Sequence, residues 1–248
     1  MMSDSRVALI TGGTRGIGKA TADRLLADGW RVVVCGRTAP ADEGGAVFIQ
    51  ADIRDAQVAE DLVAQVKERF GRLDLLVNNA GGSPNVGLAD SSAKLVERVI
   101  ALNLLGPIYL ARAAHAVMVG QAEGGSVINI ASVSGKRASP GTVAYGAAKA
   151  GLLSATSGMA MEWGPKVRVN AIIVGLVEAE EGQDDHYGGP AGVARISDML
   201  PMKRMAWGAD IANAVAWLAS DQAAYVSGAE LAVHGGGEVP AYLGLAKG

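Results

Sequence analysis

Tyr145 and Lys149 stand four positions apart in a stretch with helical patterning, so their side chains share one face of a helix. A phenol titrates near pH 10, too high for a good base near neutrality. A lysine ammonium beside it stabilises the phenolate and is expected to lower that value. Upstream, Asn129-Ile130-Ala131-Ser132 ends an apolar run and supplies a hydroxyl that can bond a substrate oxygen and hold it against Tyr145. A proton would then pass between Tyr145 and that oxygen while a hydride reaches or leaves the adjoining carbon. Tyr-x-x-x-Lys alone is a spacing that chance supplies, so the reading depends on what the rest of the chain provides.

A second constellation lies near the N-terminus. The first apolar run ends in Thr11-Gly12-Gly13-Thr14-Arg15-Gly16-Ile17-Gly18, and helical patterning follows. A glycine-rich turn between a strand and a helix N-terminus presents backbone N–H groups and the positive end of the helix dipole to a pyrophosphate. Side chains at Gly12, Gly16 or Gly18 would block the approach of a cofactor or of the helix itself. The spacing is G-x-x-x-G-x-G, not G-x-G-x-x-G. A second strand ends in Cys35-Gly36-Arg37-Thr38, where an acid would hold the ribose hydroxyls of NAD. Here Arg37 stands in that place and Arg15 can reach the same point. Two guanidinium groups suit a 2′-phosphate and favour NADP(H) over NAD(H). Asp42 and Glu43, a few residues later, keep NAD(H) open. Asp52, after a third strand, either accepts from an adenine amino group or caps the helix starting near Asp55. Asn78-Asn79-Ala80-Gly81 ends a fourth strand with small residues and amides that suit a backbone packed against a cofactor.

The elements that must position these groups alternate along the chain. Short apolar runs at 7–10, 31–34, 47–50, 73–77, 126–130, 167–173 and 230–233 read as buried strands. Longer amphipathic segments at 19–28, 56–70, 92–118, 143–163 and 209–220 read as helices. Several strand runs lack period-two alternation, as expected where both faces are covered. The pattern predicts an α/β fold, a Rossmann-type doubly wound parallel sheet of about seven strands with helices on both faces, in one domain over 1–248. Residues 178–190, rich in acids and glycine, fit no element and read as a mobile surface segment, part of a substrate lid over about 178–200.

Composition narrows the function classes. The net charge is −3 with no long basic run, which argues against nucleic acid. Cys35 is the sole cysteine, which excludes a disulfide framework and a multi-cysteine metal site. Glu180, Glu181, Asp184, Asp185 and His186 read as a solvated acidic loop, so no metal is expected. No basic segment with a secretory apolar stretch opens the chain, and no run of about 18 apolar residues is present. The expectation is a cytoplasmic chain without membrane or nucleic-acid partners.

Taken together, these residues resemble the short-chain dehydrogenase/reductase (SDR) family over nearly the whole chain, from about Arg6 to Gly237. The resemblance rests on Thr11-Gly12-x-x-x-Gly16-x-Gly18, Asn78-Asn79-Ala80-Gly81, Asn103, Ser132, Tyr145-x-x-x-Lys149 and Val169-Asn170-Ala171, in the family's order and spacing. It implies a catalytic tetrad of Asn103, Ser132, Tyr145 and Lys149, with Lys149 also on the nicotinamide ribose and Asn103 keeping a water in a proton relay. It implies a cofactor bed of Gly12, Thr14, Arg15, Gly16, Ile17, Gly18, Arg37, Thr38, Asp52, Ile53, Asn79, Ala80, Gly81, Tyr145, Lys149, Gly175 and Val177, and a homotetramer. The chain departs from the family after the sixth strand, where Val174 replaces a usual Pro and Ala179 a usual Thr, and at His234, where Asp is common. The expected activity is NADP(H)-dependent hydride transfer between cofactor and a small ketone or secondary alcohol. A 3-oxoacyl reductase acting on a carrier protein or CoA thioester is the runner-up, weakened because Lys166 is the sole basic residue where a carrier would dock. A non-catalytic NADP(H)-binding regulator is the alternative of another class, which the altered Val174 and Ala179 favour and the complete tetrad opposes. Pro84, Val86, Leu88, Val133 and Met199 hint at an apolar substrate pocket.

Overall fold

The apolar runs pair edge to edge, the central ones largely buried on both faces and the two edge runs, 47–50 and 230–233, only partly covered. The computed structural model describes residues 5–42, 44–178 and 187–238. Its strands are β1 (Val7–Thr11), β2 (Arg31–Gly36), β3 (Val47–Gln50), β4 (Leu75–Asn78), β5 (Gly125–Ser132), β6 (Val167–Val174) and β7 (Glu230–Val233). They form one parallel sheet in the order β3-β2-β1-β4-β5-β6-β7. The order reverses beside β1, which leaves a crevice at the strands' carboxyl ends, the place where open α/β sheets bind ligands. In register, Thr11 lies by Cys35, Asn78 by Asn129 and Ser132 by Val174, so the residues singled out above reach one edge.

Helices cover both faces. One layer packs α2 (Ala56–Phe70) and α4 (Gly106–Met118) on Leu9, Val33, Leu76, Val127 and Val169. The other packs α1 (Gly16–Ala27) and α7 (Gly208–Ala219) on Ala8, Ile10, Val34, Val77, Ile128 and Ile172. Asp55 caps α2, accepting from the N–H groups of Gln57 (2.8 Å) and Val58 (3.2 Å), and Gly71 ends it in the left-handed region. That assigns the cap to Asp55 and not to Asp52.

Two segments differ from the sequence reading. The stretch 92–118 is one helical path in three parts: α3 (Ala93–Ile100), a π-helical turn (Ala101–Leu105) and α4, with Ser92 as N-cap accepting from Leu95 N–H. Amphipathicity cannot reveal a one-residue widening of the helix. The path Ala93–Met118 has the length and mean hydropathy (1.3) to cross a bilayer, although no apolar run of that length was visible. Its Val99, Leu110, Ala111, Ala114 and Met118 are buried in the protein, as suits a core helix. Within 178–200, Gly188 in the left-handed region and Pro190 open a helix, α6 (Gly189–Met199), so most of the described part is ordered as a helix and not a loop. Ala179, Glu180, Glu181, Asp184, Asp185 and His186 lie outside the described residues, as does Glu43. Between β5 and β6, α5 (Val143–Trp163) is apolar on all sides, burying Gly146, Ala148, Lys149, Leu152, Leu153 and Thr156.

The glycine turn is packed to its limit. A Cβ on Gly18 would lie 2.2 Å from the Gly12 carbonyl oxygen, and one on Gly13 would lie 2.5 Å from Val34 Cγ1. Gly18→Ala is therefore expected to lower stability by about 1–3 kcal/mol, since backbone must move to admit the methyl. Urea unfolding checks this; an unchanged midpoint would contradict the packing.

Candidate active site

The site begins with a stitch between the ends of β1 and β4. The Thr11 hydroxyl accepts from the N–H groups of Asn79 (3.0 Å) and Ala80 (2.9 Å). Asn79 Nδ2 returns bonds to the carbonyls of Thr11 (2.8 Å) and Gly12 (3.2 Å). Gly12 adopts a φ of +62°, and a Cβ there would lie 3.1 Å from Ala80 Cα. Gly12 and Gly18 are thus constrained by packing inside the protein, Gly12 against Ala80 and Gly18 against the Gly12 carbonyl, whereas the sequence suggested the approach of a cofactor or of the helix. Gly16 is not so constrained: its φ is +54° but a Cβ would meet nothing within 4 Å, so only the backbone conformation or a ligand demands glycine there. Asn78 turns away from the edge, donating to Asn129 Oδ1 (2.9 Å) and the Pro107 carbonyl (3.1 Å); Asn129 in turn donates to Thr156 on α5. Buried amides thus tie β4, β5 and α5 together.

Around the loop, α1 starts at Arg15 with no side-chain cap and no acid in its first turn, so its N-terminal end remains suited to an anion. Thr14 reaches the end of β2, where its Cγ2 lies 3.9 Å from a Cβ built on Gly36. Arg15, Arg37 and Thr38 are exposed, and neither guanidinium bonds another described residue. The Arg37 backbone is fixed by Gln50 Nε2, which donates to its carbonyl (2.9 Å). Asp52 is grasped by Arg54, whose Nε lies 2.8 and 3.1 Å from its two oxygens and whose Nη2 also donates. The pair holds the Asp52 carboxyl below its usual range, mainly through the Arg54 side-chain bond. Ile53 is buried, and its carbonyl lies 2.7 Å from a Cβ built on Gly106, so its side chain serves the approach of α4.

The chemical groups converge beyond Gly81. Asn103 is fully buried inside the π-helical turn. Its Oδ1 accepts from Gly82 N–H (2.9 Å), and its Nδ2 donates to the carbonyls of Gly82 and Val99 (2.9 Å each). Widened turns of this kind recur at functional sites. A Cβ on Gly81 would lie 2.7 Å from Asn103 Oδ1 and 3.3 Å from Lys149 Nζ, so glycine lets the loop settle over both. Lys149 Nζ donates to the Ile130 carbonyl (2.7 Å) and stands 5.6 Å from the Tyr145 ring centre. Ser132 is a close neighbour of Tyr145, acting to lower its phenol, and accepts from Ser134 N–H (3.2 Å). All four tetrad residues therefore gather at one sheet edge.

The electrostatics correct one expectation. Burial raises the Tyr145 phenol above its ordinary value; Ser132 opposes this and Tyr187 adds to it. The lowering by Lys149 expected from the sequence is not among the influences on the phenol, and desolvation dominates. Burial also pushes the Lys149 ammonium down to about 8. Tyr187, just before α6, is a site neighbour that the sequence reading missed, and a lone tyrosine in an acid- and glycine-rich stretch gave no signal.

The remaining residues frame the mouth. Gly175 packs on His234, where a Cβ would lie 2.7 Å from His234 Cβ; this gives the departure at His234 a packing partner. His234 Nδ1 is buried without a hydrogen-bond partner among the described residues. Val174 is buried in β6. Val177 bridges to Ala206, and Glu178 takes Trp207 Nε1–H (2.9 Å), anchoring the segment before 179. Pro84, Val86 and Leu88 line a narrow crevice with Thr142 and Val143, whereas Leu88 and Met199 are more than half exposed. Cys35 is buried and burial pushes its thiol up to about 12, so it packs and does not react. Among the described residues no group of three His, Cys, Asp or Glu could hold a metal.

Lys149 gives a pH test. From about pH 8 to its ordinary value of 10.5 the folded chain has released a proton that the unfolded chain keeps, so this group makes stability rise with pH across that window. Lys149→Met is expected to remove that rise, giving a smaller gain in urea midpoint between pH 7.5 and 10 than wild type. Equal gains would contradict the burial of a titrating ammonium.

Comparison with known proteins agrees with this geometry. A family model described as Enoyl-(Acyl carrier protein) reductase matches residues 12–238. The chain is 34% identical to a probable 2,4-dienoyl-CoA reductase of Bacillus subtilis, over 94% of this chain and 96% of that one. It is also 34% identical to a 3-oxoacyl-[acyl-carrier-protein] reductase of Synechocystis, with the same coverage. Among solved structures, the ligand-free aldohexose dehydrogenase of Thermoplasma acidophilum superposes with a TM-score of 0.89 at 25% identity, covering 94% of this chain and 93% of that one. With its seven-stranded parallel Rossmann-type sheet and these relatives, the chain belongs to the short-chain dehydrogenase/reductase family of oxidoreductases, which use a nicotinamide cofactor.

Proposed function

We propose that the protein is an NADP(H)-dependent oxidoreductase that interconverts a small ketone and a secondary alcohol, with Tyr145 as acid and base. The observation that carries this is the Tyr145 phenol standing between Ser132, which acts on its acidity, and the buried Lys149 ammonium. Two hydroxyls at one point suit a substrate oxygen, which receives a proton in reduction and loses one in oxidation.

The residues present fit a dinucleotide. The tight Gly12–Gly18 turn and the uncapped start of α1 suit a pyrophosphate, with Thr14, Gly16 and Ile17 in the same turn. Arg15, Arg37 and Thr38 would hold the phosphorylated ribose, Asp52 and Ile53 the adenine, and Asn79, Ala80, Gly81, Gly175 and Val177 the path toward the nicotinamide. When bound, the nicotinamide supplies or accepts the hydride at the substrate carbon. Ser132 orients the substrate oxygen. Tyr145, a phenol protonated at neutral pH and raised further by burial, donates its proton to that oxygen in reduction. Lys149 places a positive charge beside the phenolate that results, and Asn103 holds Gly81–Gly82 against Lys149. The complete tetrad favours an enzyme over a non-catalytic binder.

A second reading, reduction of a carbon–carbon double bond in an acyl thioester, is favoured by the description of the family model and the name of the Bacillus relative. Action on a 3-oxoacyl carrier protein is weaker, because Lys166 is already engaged with the carbonyls of Gln121 and Ala122. The outward face of α5 exposes Val143, Ala147, Ala150, Ser154, Ser157 and Met161, small or apolar residues that suit packing against another copy in a homotetramer.

Tyr145→Phe is expected to cut ketone turnover by roughly 10²–10⁴-fold while NADPH affinity, read by fluorescence titration, stays within about twofold. Turnover that survives the substitution would overturn the assignment of Tyr145.

A further inference from the structure

Two arginines, Arg37 and Arg54, lie near one carboxylate, Asp52, beyond the ends of β2 and β3, and their pairing is uneven. Gly36 lies opposite Gln50 in register, and Ala51 N–H donates to the Gly36 carbonyl (3.0 Å), so Arg37 and Asp52 leave the sheet side by side. Asp52 does not take Arg37 as its partner. It takes Arg54, two residues on, through Nε and Nη2, with the Arg54 backbone N–H also donating to Oδ1 (3.3 Å). The turn is closed by Asp55 N–H on the Asp52 carbonyl (3.2 Å), so the pair is local to one turn. The Arg37 charge still reaches Asp52, lowering its carboxyl further, behind the larger effect of Arg54.

We infer that Arg54 is a positioning residue for cofactor choice: it occupies the Asp52 carboxylate and so leaves the guanidinium of Arg37 available to the 2′-phosphate of NADP(H). This rests on the NADP(H) reading above. A bare carboxylate beside Arg37 would compete with the phosphate for its donors and repel it as a like charge. With Arg54 in place the Asp52 charge is compensated locally, and neither Arg15 nor Arg37 is paired with an acid by a salt bridge among the described residues. The planar fork of arginine suits this bidentate hold, whereas a lysine would offer a single point of charge.

The test titrates NADPH and NADH into wild type, Arg37→Ala, Arg54→Gln, Asp52→Asn and the Asp52→Asn/Arg54→Gln double variant, following cofactor fluorescence. Arg54→Gln is expected to weaken NADPH about tenfold and NADH less than twofold, a like-charge effect felt only by the phosphate. The double variant is expected to recover the wild-type preference, because the unmasked charge is gone. Equal weakening of both cofactors, or no recovery in the double variant, would mean that Arg54 only supports the turn, and would overturn the proposal. If Arg54→Gln does not fold, Asp52→Asn decides: it should keep an NADPH preference at least as strong as wild type, and a loss of preference there overturns the proposal. A wild type without NADPH preference that Arg37→Ala does not alter removes the NADP(H) reading itself. Wild-type preference abolished by Arg37→Ala but untouched by Arg54→Gln removes Arg54 alone.

Discussion

The close approach of two backbone loops, Gly12 against Ala80, is the constraint on which the rest of the site depends. It exists because Thr11 and Asn79 exchange hydrogen bonds across the ends of β1 and β4, and because a Cβ at Gly12 would come within 3.1 Å of Ala80 Cα. The glycine turn is thereby fixed relative to Asn79–Gly81. Gly81 in turn lies over Asn103 and Lys149, and Lys149 leads to Tyr145 and Ser132. The proposed phosphate site at one end and the proposed proton-transfer pair at the other are linked through the edges of adjacent strands. No long loop has to be ordered to bring them together, and a loop would impose a greater entropic cost.

The second constraint is a buried cation. Lys149 is almost wholly removed from water, and its ammonium bonds a backbone carbonyl and not a carboxylate. Desolvation without a counter-ion costs stability, which is why the ammonium titrates near 8. A charge in low dielectric acts strongly on what lies next to it, and Tyr145 is its neighbour. The site therefore holds a destabilised group beside Tyr145, supported by the hydrogen-bonded chain of the Asn78 and Asn129 amides and the Thr156 hydroxyl, which fixes α5 to the sheet. The π-helical turn serves the same end: it lets Asn103 bond both polar groups of Gly82 while its Nδ2 still reaches Val99.

The sequence made the sheet legible because parallel strands buried on both faces leave unbroken apolar runs, and the seven runs read from it correspond to β1–β7 within a few residues. It made Tyr145, Lys149 and Ser132 legible because their side-chain chemistry fits together once the glycine turn and strand pattern are read with them. Asn103 was visible only by resemblance, since a lone amide in an apolar helix has no periodic signature. Gly13 was passed over because its reason is Val34, 21 positions away. Arg54 was passed over because its bond to Asp52 is a matter of turn geometry. The phenol shift had the wrong sign because spacing shows the neighbouring charge and not the depth of burial. Helix α6 was hidden by glycine and proline, which mark its start as readily as they mark a loop.

The central claim is that a hydride passes between the nicotinamide and a carbonyl carbon at the Ser132–Tyr145 pair. The most direct measurement supplies NADPH carrying deuterium on the transferable position of nicotinamide C4, with a β-keto ester and a trans-2-enoyl thioester as competing substrates, and locates the label by mass spectrometry. The account expects deuterium on the carbinol carbon of the reduced keto ester. Deuterium on the β-carbon of a saturated thioester, with the keto ester untouched, would contradict it and move the reaction to the carbon–carbon double bond.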